Sequence, residues 1–177
     1  MTQATTTTPQ TGAPAPSKMT INPKLIIPFI NSARSVFTTM VGIETTVQRP
    51  HVKSNPATSY DVSGLIGFSG DVVGSVVVSF QTEAAVRFVS AFAGSEYQPD
   101  SPDFADAVGE LTNMIAGSAK KDLGGMASIT LPSVIIGAGH IIARLSDVPC
   151  IVLPCTTPVG DFAVEVSIKQ VNITKAQ

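Results

Sequence analysis

Two apolar runs rich in β-branched residues, Tyr60 to Phe68 and Val72 to Phe80, are separated only by Ser69, Gly70 and Asp71. A connection that short cannot carry a helical crossover, so the two runs predict an antiparallel hairpin. A second pair, Cys150 to Thr156 and Asp161 to Val171, flanks Thr157, Pro158, Val159 and Gly160 in the same way. Segments of helical period lie around these hairpins. Asn22 to Val41 opens on Asn-Pro, a cap and first-turn pair, and repeats Ile26, Phe29, Ile30, Ala33, Val36, Phe37 and Met40 before Gly42, with Pro28 as a potential kink. A helix from Thr82 to Gly94 and another from Pro102 or Asp103 to about Lys121, ended by Gly124 and Gly125, follow the first hairpin. Ile43 to Gln48, Ser128 to Gly137 and His140 to Leu145 read as further strands, and His51 to Thr58 as polar loop. This order predicts an α+β fold, a mixed or antiparallel sheet against long helices, and disfavours a doubly wound sheet.

The chain of 177 residues is long enough to bury a core without a metal or disulfide. Residues 1–19, dominated by Thr, Pro, Ala and Gln, cannot offset their ordering entropy by burial and predict a disordered tail. The domain should span 20–172, with 173–177 as a second short tail. A net charge of −2 argues against nucleic-acid binding through bulk positive charge. Charged residues make up 14% of the chain and hydrophobic ones 44%, which suggests a surface partly covered by a partner or a second copy. Cys150 and Cys155 would lie on opposite faces of one strand, roughly 17 Å apart, and cannot bridge to each other. Nothing in the first 17 residues reads as a signal peptide, and no apolar run is long enough to span a bilayer, so the expected location is the cytoplasm.

The phosphate-loop and dinucleotide fingerprints are absent, as is a nucleophile elbow. Two histidines, His51 and His140, and two lone cysteines make a zinc site improbable. The helix 103–121 carries the more informative pattern. Phe104, Val108, Leu111 and Ile115 form its core side. Asp106, Glu110, Asn113, Gly117, Lys120 and Lys121 fall in one stripe on the opposite side. Glu110 and Asn113, three apart, are neighbours there, and Gly117 clears space one turn on. Any surface helix has a solvated stripe, so this spacing alone does not separate a site from an ordinary exposed face.

Larger segments do. Gly109-Glu110-Leu111-Thr112-Asn113-Met114-Ile115-Ala116-Gly117 resembles the E-x-x-N-M-I-x-G helix of the CheC/CheX/FliY chemotaxis phosphatases. Ile129-Thr130-Leu131-Pro132-Ser133-Val134-Ile135-Ile136-Gly137 resembles the I-x-L-P-x-V-I-x-G strand that follows it in the CheX type. Asn22-Pro23 and Val36-Phe37-Thr38-Thr39-Met40 fit that family's first helix, and the resemblance runs over about residues 20–172. It implies a CheC-like pseudo-repeat of helix plus strand hairpins, and hydrolysis of the aspartyl phosphate of a CheY-type response regulator.

On that resemblance Glu110 would engage the regulator's active-site lysine and Asn113 would orient the attacking water. Asp106, Gly117, Lys120 and Lys121 would line the partner-binding stripe. No metal or cofactor of the chain's own is expected; Mg2+ would sit in the partner's pocket. A second site on the first helix is disfavoured, because Pro28 stands three residues before Asn31, where a Glu is required. The CheX type also implies a homodimer joined through its sheets. The competing readings are a non-catalytic docking or flagellar-switch module of the same fold, and a small-molecule domain, for which no polar cluster speaks.

Overall fold

A computed structural model describes residues 22–124, 127–145 and 147–171. The proposed tails 1–19 and 173–177, and Gly125 as a helix stop, lie outside the described residues. Within them the order is α1 (Pro23–Val36), β1 (Thr46–Val47), β2 (His51–Val52), β3 (Val62–Gly70), β4 (Val72–Phe80), α2 (Thr82–Ala93), α3 (Pro102–Asp122), β5 (Ala127–Ile129), β6 (Ser133–Ile136), β7 (Ile151–Thr157) and β8 (Gly160–Gln170).

The expected hairpins are both present. They join edge to edge through β4 and β8, giving the sheet order β1-β7-β8-β4-β3-β5, with β2 also on β7 and β6 also on β3. Every strand pairing is antiparallel. A helix precedes each hairpin, α1 before β3–β4 and α3 before β7–β8.

The caps are the ones the residues predict. Asn22 Oδ1 accepts from Lys24 N at 3.1 Å, and Ser101 Oγ accepts from Phe104 N at 3.1 Å. Pro28 neither breaks nor restarts α1. The helix instead ends in a π turn, Phe37–Val41, closed by Gly42 at φ 73°.

One face of the sheet carries Val62, Ile66, Val76, Val78, Phe80, Phe162, Val164 and Val166, all buried under the three helices. Phe37 stacks on Phe162 with centroids 4.1 Å apart and meets Phe88 edge-on at 4.9 Å, tying α1 and α2 to the sheet. The opposite face also buries Val77, Val152 and Ala163, as well as Glu165.

Four strand expectations need correction. Ser128 to Gly137 is not one strand: it divides into β5 and β6 around Thr130–Pro132. Pro132 has no N–H to give a ladder, and Thr130 Oγ1 accepts from Gly67 N at 3.0 Å in place of a backbone carbonyl. His140 to Leu145 forms no strand; it makes a single bridge, Ile141 to Ala57, and His140 is held instead by Gly137 O (2.7 Å) and Ser63 Oγ (2.9 Å). Ile43 to Gln48 shrinks to Thr46–Val47. The expected loop 51–58 begins with a short strand, because His51–Val52 pairs with Ile151–Val152.

Candidate functional site

Two close approaches position α3. On its sheet side, Thr112 is fully buried against Gly64 of β3. A Cβ at Gly64 would lie 2.8 Å from that of Thr112, so only glycine lets the helix come so near. The Thr112 hydroxyl is satisfied within the helix, donating to Val108 O at 2.8 Å. On the flank, Gly109 faces the β5–β6 bend: a Cβ there would stand 3.4 Å from Pro132 Cγ and 3.5 Å from a Val134 methyl. Phe104, Val108, Leu111 and Ile115 are buried, as the wheel predicts.

These contacts leave the opposite face of α3 open. Glu110 is exposed and Asn113 half-buried. Neither side chain hydrogen-bonds or ion-pairs with any described residue. They are offset by ~4.5 Å along the axis and lie on one surface. Asn113 is one turn beyond Gly109, on the flank that faces the β5–β6 bend. The pair is therefore a carboxylate and an amide held on a rigid helix, with their polar atoms available to an incoming molecule.

The other stripe residues divide. Asp106 and Lys121 are exposed, while Lys120 is half-buried. Gly117 has nothing within 4 Å of where a Cβ would stand, so it opens a gap beside Asn113. Lys120 and Lys121 occupy the last turn, where cations complement the helix dipole, and that accounts for them without a partner. Glu110 and Asn113, in mid-helix, have no such explanation. Asn31 is not brought to them: it lines a groove with Lys24, Ile27, Pro28, Asp122 and Leu123, ~13 Å further along α3.

A charged cluster that the sequence reading missed lies on the other face of the sheet. Glu165, in β8, is fully buried. Its Oε1 accepts from Lys53 Nζ (2.8 Å), Ser59 N (2.8 Å) and Ser59 Oγ (2.7 Å), and its Oε2 accepts from Arg144. The signal was a lone acid inside the apolar run Phe162–Ile168. The cluster fastens the 53–59 and 141–145 segments to the sheet, remote from Glu110.

Cys155 is buried in the core, and burial pushes its thiol up to about 12. Cys150 lies on the opposite side beside Arg144 and Lys53; burial also raises it, against the pull of those cations. Both are free. Among the described residues no group of three His, Cys, Asp or Glu side chains is placed to hold a metal, and no helix is long and apolar enough to cross a membrane.

The family model for chemotaxis phosphatase CheX matches residues 62–156, which include α3 and the β5–β6 bend. A chemotaxis protein CheX from Desulfovibrio desulfuricans has a solved structure that is 36% identical. That match covers 84% of this chain and 99% of the other, with a TM-score of 0.74. The CheY-P phosphatase CheX of Thermotoga maritima is 31% identical over 118 residues, 64% of this chain and 76% of that protein. A crystal structure of a CheX-CheY-BeF3-Mg2+ complex from Borrelia burgdorferi matches at 28% identity and a TM-score of 0.69, covering 82% and 98%.

Proposed function

The chain belongs to the chemotaxis phosphatase CheX family, and from that premise we propose that it hydrolyses the aspartyl phosphate of a CheY-type response regulator. The observation that carries this reading is the pair Glu110 and Asn113, unpartnered side by side on the open face of α3.

The chemistry asks for positioning more than for reactive groups. Phosphoryl transfer passes through a loose transition state, with the attacking and leaving oxygens in line. An amide both donates and accepts, so Asn113 holds a water oriented toward phosphorus without removing its proton beforehand. Holding the reactants in register supplies several kcal/mol of the barrier. Glu110 pairs with the regulator's active-site lysine and fixes how far α3 enters the pocket. Asp106, Gly117, Lys120 and Lys121 border the contact, the gap at Gly117 admitting the rim of the regulator's pocket. The regulator brings its own Mg2+, which neutralises phosphate charge; this chain contributes the amide and the carboxylate. The Borrelia relative's complex with CheY, BeF3 and Mg2+ supports a CheY-type regulator as the partner.

The protein acts in the cytoplasm on this reading, where its substrate regulator resides, without nucleic acid or membrane insertion. A second copy covers the far side of the sheet, where Ile141 (66% exposed) and Leu145 (47%) stand in one groove. Light scattering on the purified chain reads the dimer directly. The decay of a phosphorylated receiver domain, with wild type and with Asn113→Ala, tests the activity.

A further inference from the structure

Leu131 is the most exposed large apolar side chain among the described residues, at 89%. A single exposed leucine is ordinary. This one differs in how it is held and where. It sits in the bend between β5 and β6, and that bend is locked from below. Thr130 N donates to Gly67 O at 3.0 Å, Gly67 N donates to Thr130 Oγ1 at 3.0 Å, and Thr130 Oγ1 donates to Leu131 O at 2.9 Å. From the other side, Pro132 packs against Gly109, the residue before Glu110. The leucine is thus presented on a fixed backbone, next to the site and away from the core.

Its position decides its role. A partner that delivers an aspartyl phosphate to Asn113 must cover the surface around it. A standard interface takes about 800 Å² from each side, a disc of roughly 16 Å radius. The Leu131 Cα lies ~3.8 Å from that of Pro132, whose ring is already against α3 one turn from Asn113. Leu131 falls well inside that disc.

We propose that Leu131 is the apolar anchor of the docking surface, seated in an apolar patch of the receiver domain beside its acidic pocket. The inference rests on the proposed reading of Glu110 and Asn113. It adds a separation of labour: the α3 pair handles the phosphate and the lysine, and the β5–β6 bend supplies sequence-selective affinity. Pro132 and Thr130 are then positioning residues, which hold the leucine in place without touching the phosphate.

The test is a titration with a CheY-type receiver domain loaded with BeF3 and Mg2+, together with turnover of the phosphorylated form. Leu131→Ala should weaken binding about tenfold and raise KM by a similar factor, with kcat within about twofold of wild type. Leu131→Met, which keeps the apolar volume, should restore most of the affinity. Glu110→Ala is measured alongside. If Glu110→Ala weakens binding and Leu131→Ala does not, the anchor is overturned and the phosphatase reading stands. If Leu131→Ala lowers kcat at unchanged affinity, the anchor is likewise overturned. If wild type binds no receiver domain tested, the phosphatase reading fails and takes the anchor with it. Leu131 is exposed, so the variants should unfold at the wild-type temperature; a lower one would show that the side chain serves the fold instead.

Discussion

Gly64 of β3 and Thr112 of α3 are in such close contact that a methyl group on the glycine would overlap the threonine hydroxyl. That contact sets the height of the helix over the sheet, and so the height of Glu110 and Asn113 above the surface.

Gly64→Ala should therefore push α3 outward. Overpacking of this kind costs about 1–3 kcal/mol of stability. The displacement should also lower turnover by more than the loss of folded protein explains, because the amide is carried out of line. Thermal unfolding and turnover per folded molecule, measured on one preparation, separate the two effects. Wild-type turnover in a destabilised Gly64→Ala protein would show that the helix height is not critical.

Glu110→Ala should weaken both docking and turnover. The carboxylate is exposed and unpartnered in the free protein, so its removal leaves no buried charge behind. The expected loss is roughly tenfold in affinity for a BeF3-loaded receiver domain, ~1.4 kcal/mol, and it should shrink as salt is raised. Unchanged affinity in that titration would count against the lysine pairing.

Glu165→Ala should be costly to the fold and nearly silent in the chemistry. It would leave Lys53 and Arg144, whose side chains are about nine-tenths buried, without their shared counter-charge. Removing one partner of a buried pair costs about 3–5 kcal/mol. Denaturant unfolding should report that loss, while turnover per folded molecule holds, because the cluster lies on the far face of the sheet. A large drop in turnover with unchanged stability would assign the cluster a different role.

Cys155 should resist thiol reagents in the native protein. With the thiol pushed up to about 12, only about one molecule in 10,000 is ionised there at pH 8. The sign follows from burial: the folded state keeps the proton that an unfolded cysteine gives up above pH ~8.5. The stability that this retained proton lends should therefore be lost as pH rises from there toward 12. Ellman's reagent at pH 8 should label Cys150 slowly and Cys155 only after denaturation. Rapid labelling of both would contradict the core placement of Cys155.

The hairpins, the three helices and the core side of α3 were legible because burial writes a period into the sequence. Phe104, Val108, Leu111 and Ile115 repeat with the helix, and Val62 to Phe68 with the strand. The tight contacts were not legible. Nothing in the run Ser63-Gly64-Leu65 tells that Gly64 lies beneath Thr112, forty-eight positions on. The Glu165 cluster draws Lys53 and Arg144 from two distant segments, so no local spacing encodes it. His140 to Leu145 misled because apolar, β-branched composition predicts a strand, whereas the segment is anchored through the His140 ring and the Arg144 guanidinium. Resemblance singles out Glu110 and Asn113; spacing alone does not separate them from Asp106 or Lys121. The structure adds that the pair is open and unpartnered, while the lysines have an ordinary place at the helix end.

Asn113 is proposed to orient the water that attacks an aspartyl phosphate. The most direct measurement follows the dephosphorylation of a phosphorylated CheY-type receiver domain in the presence of wild type and of Asn113→Ala, at protein concentrations that saturate binding. Wild type should accelerate the decay. Asn113→Ala should bind within a few-fold of wild type and be at least ~100-fold slower. Decay accelerated equally by both proteins would contradict the claim.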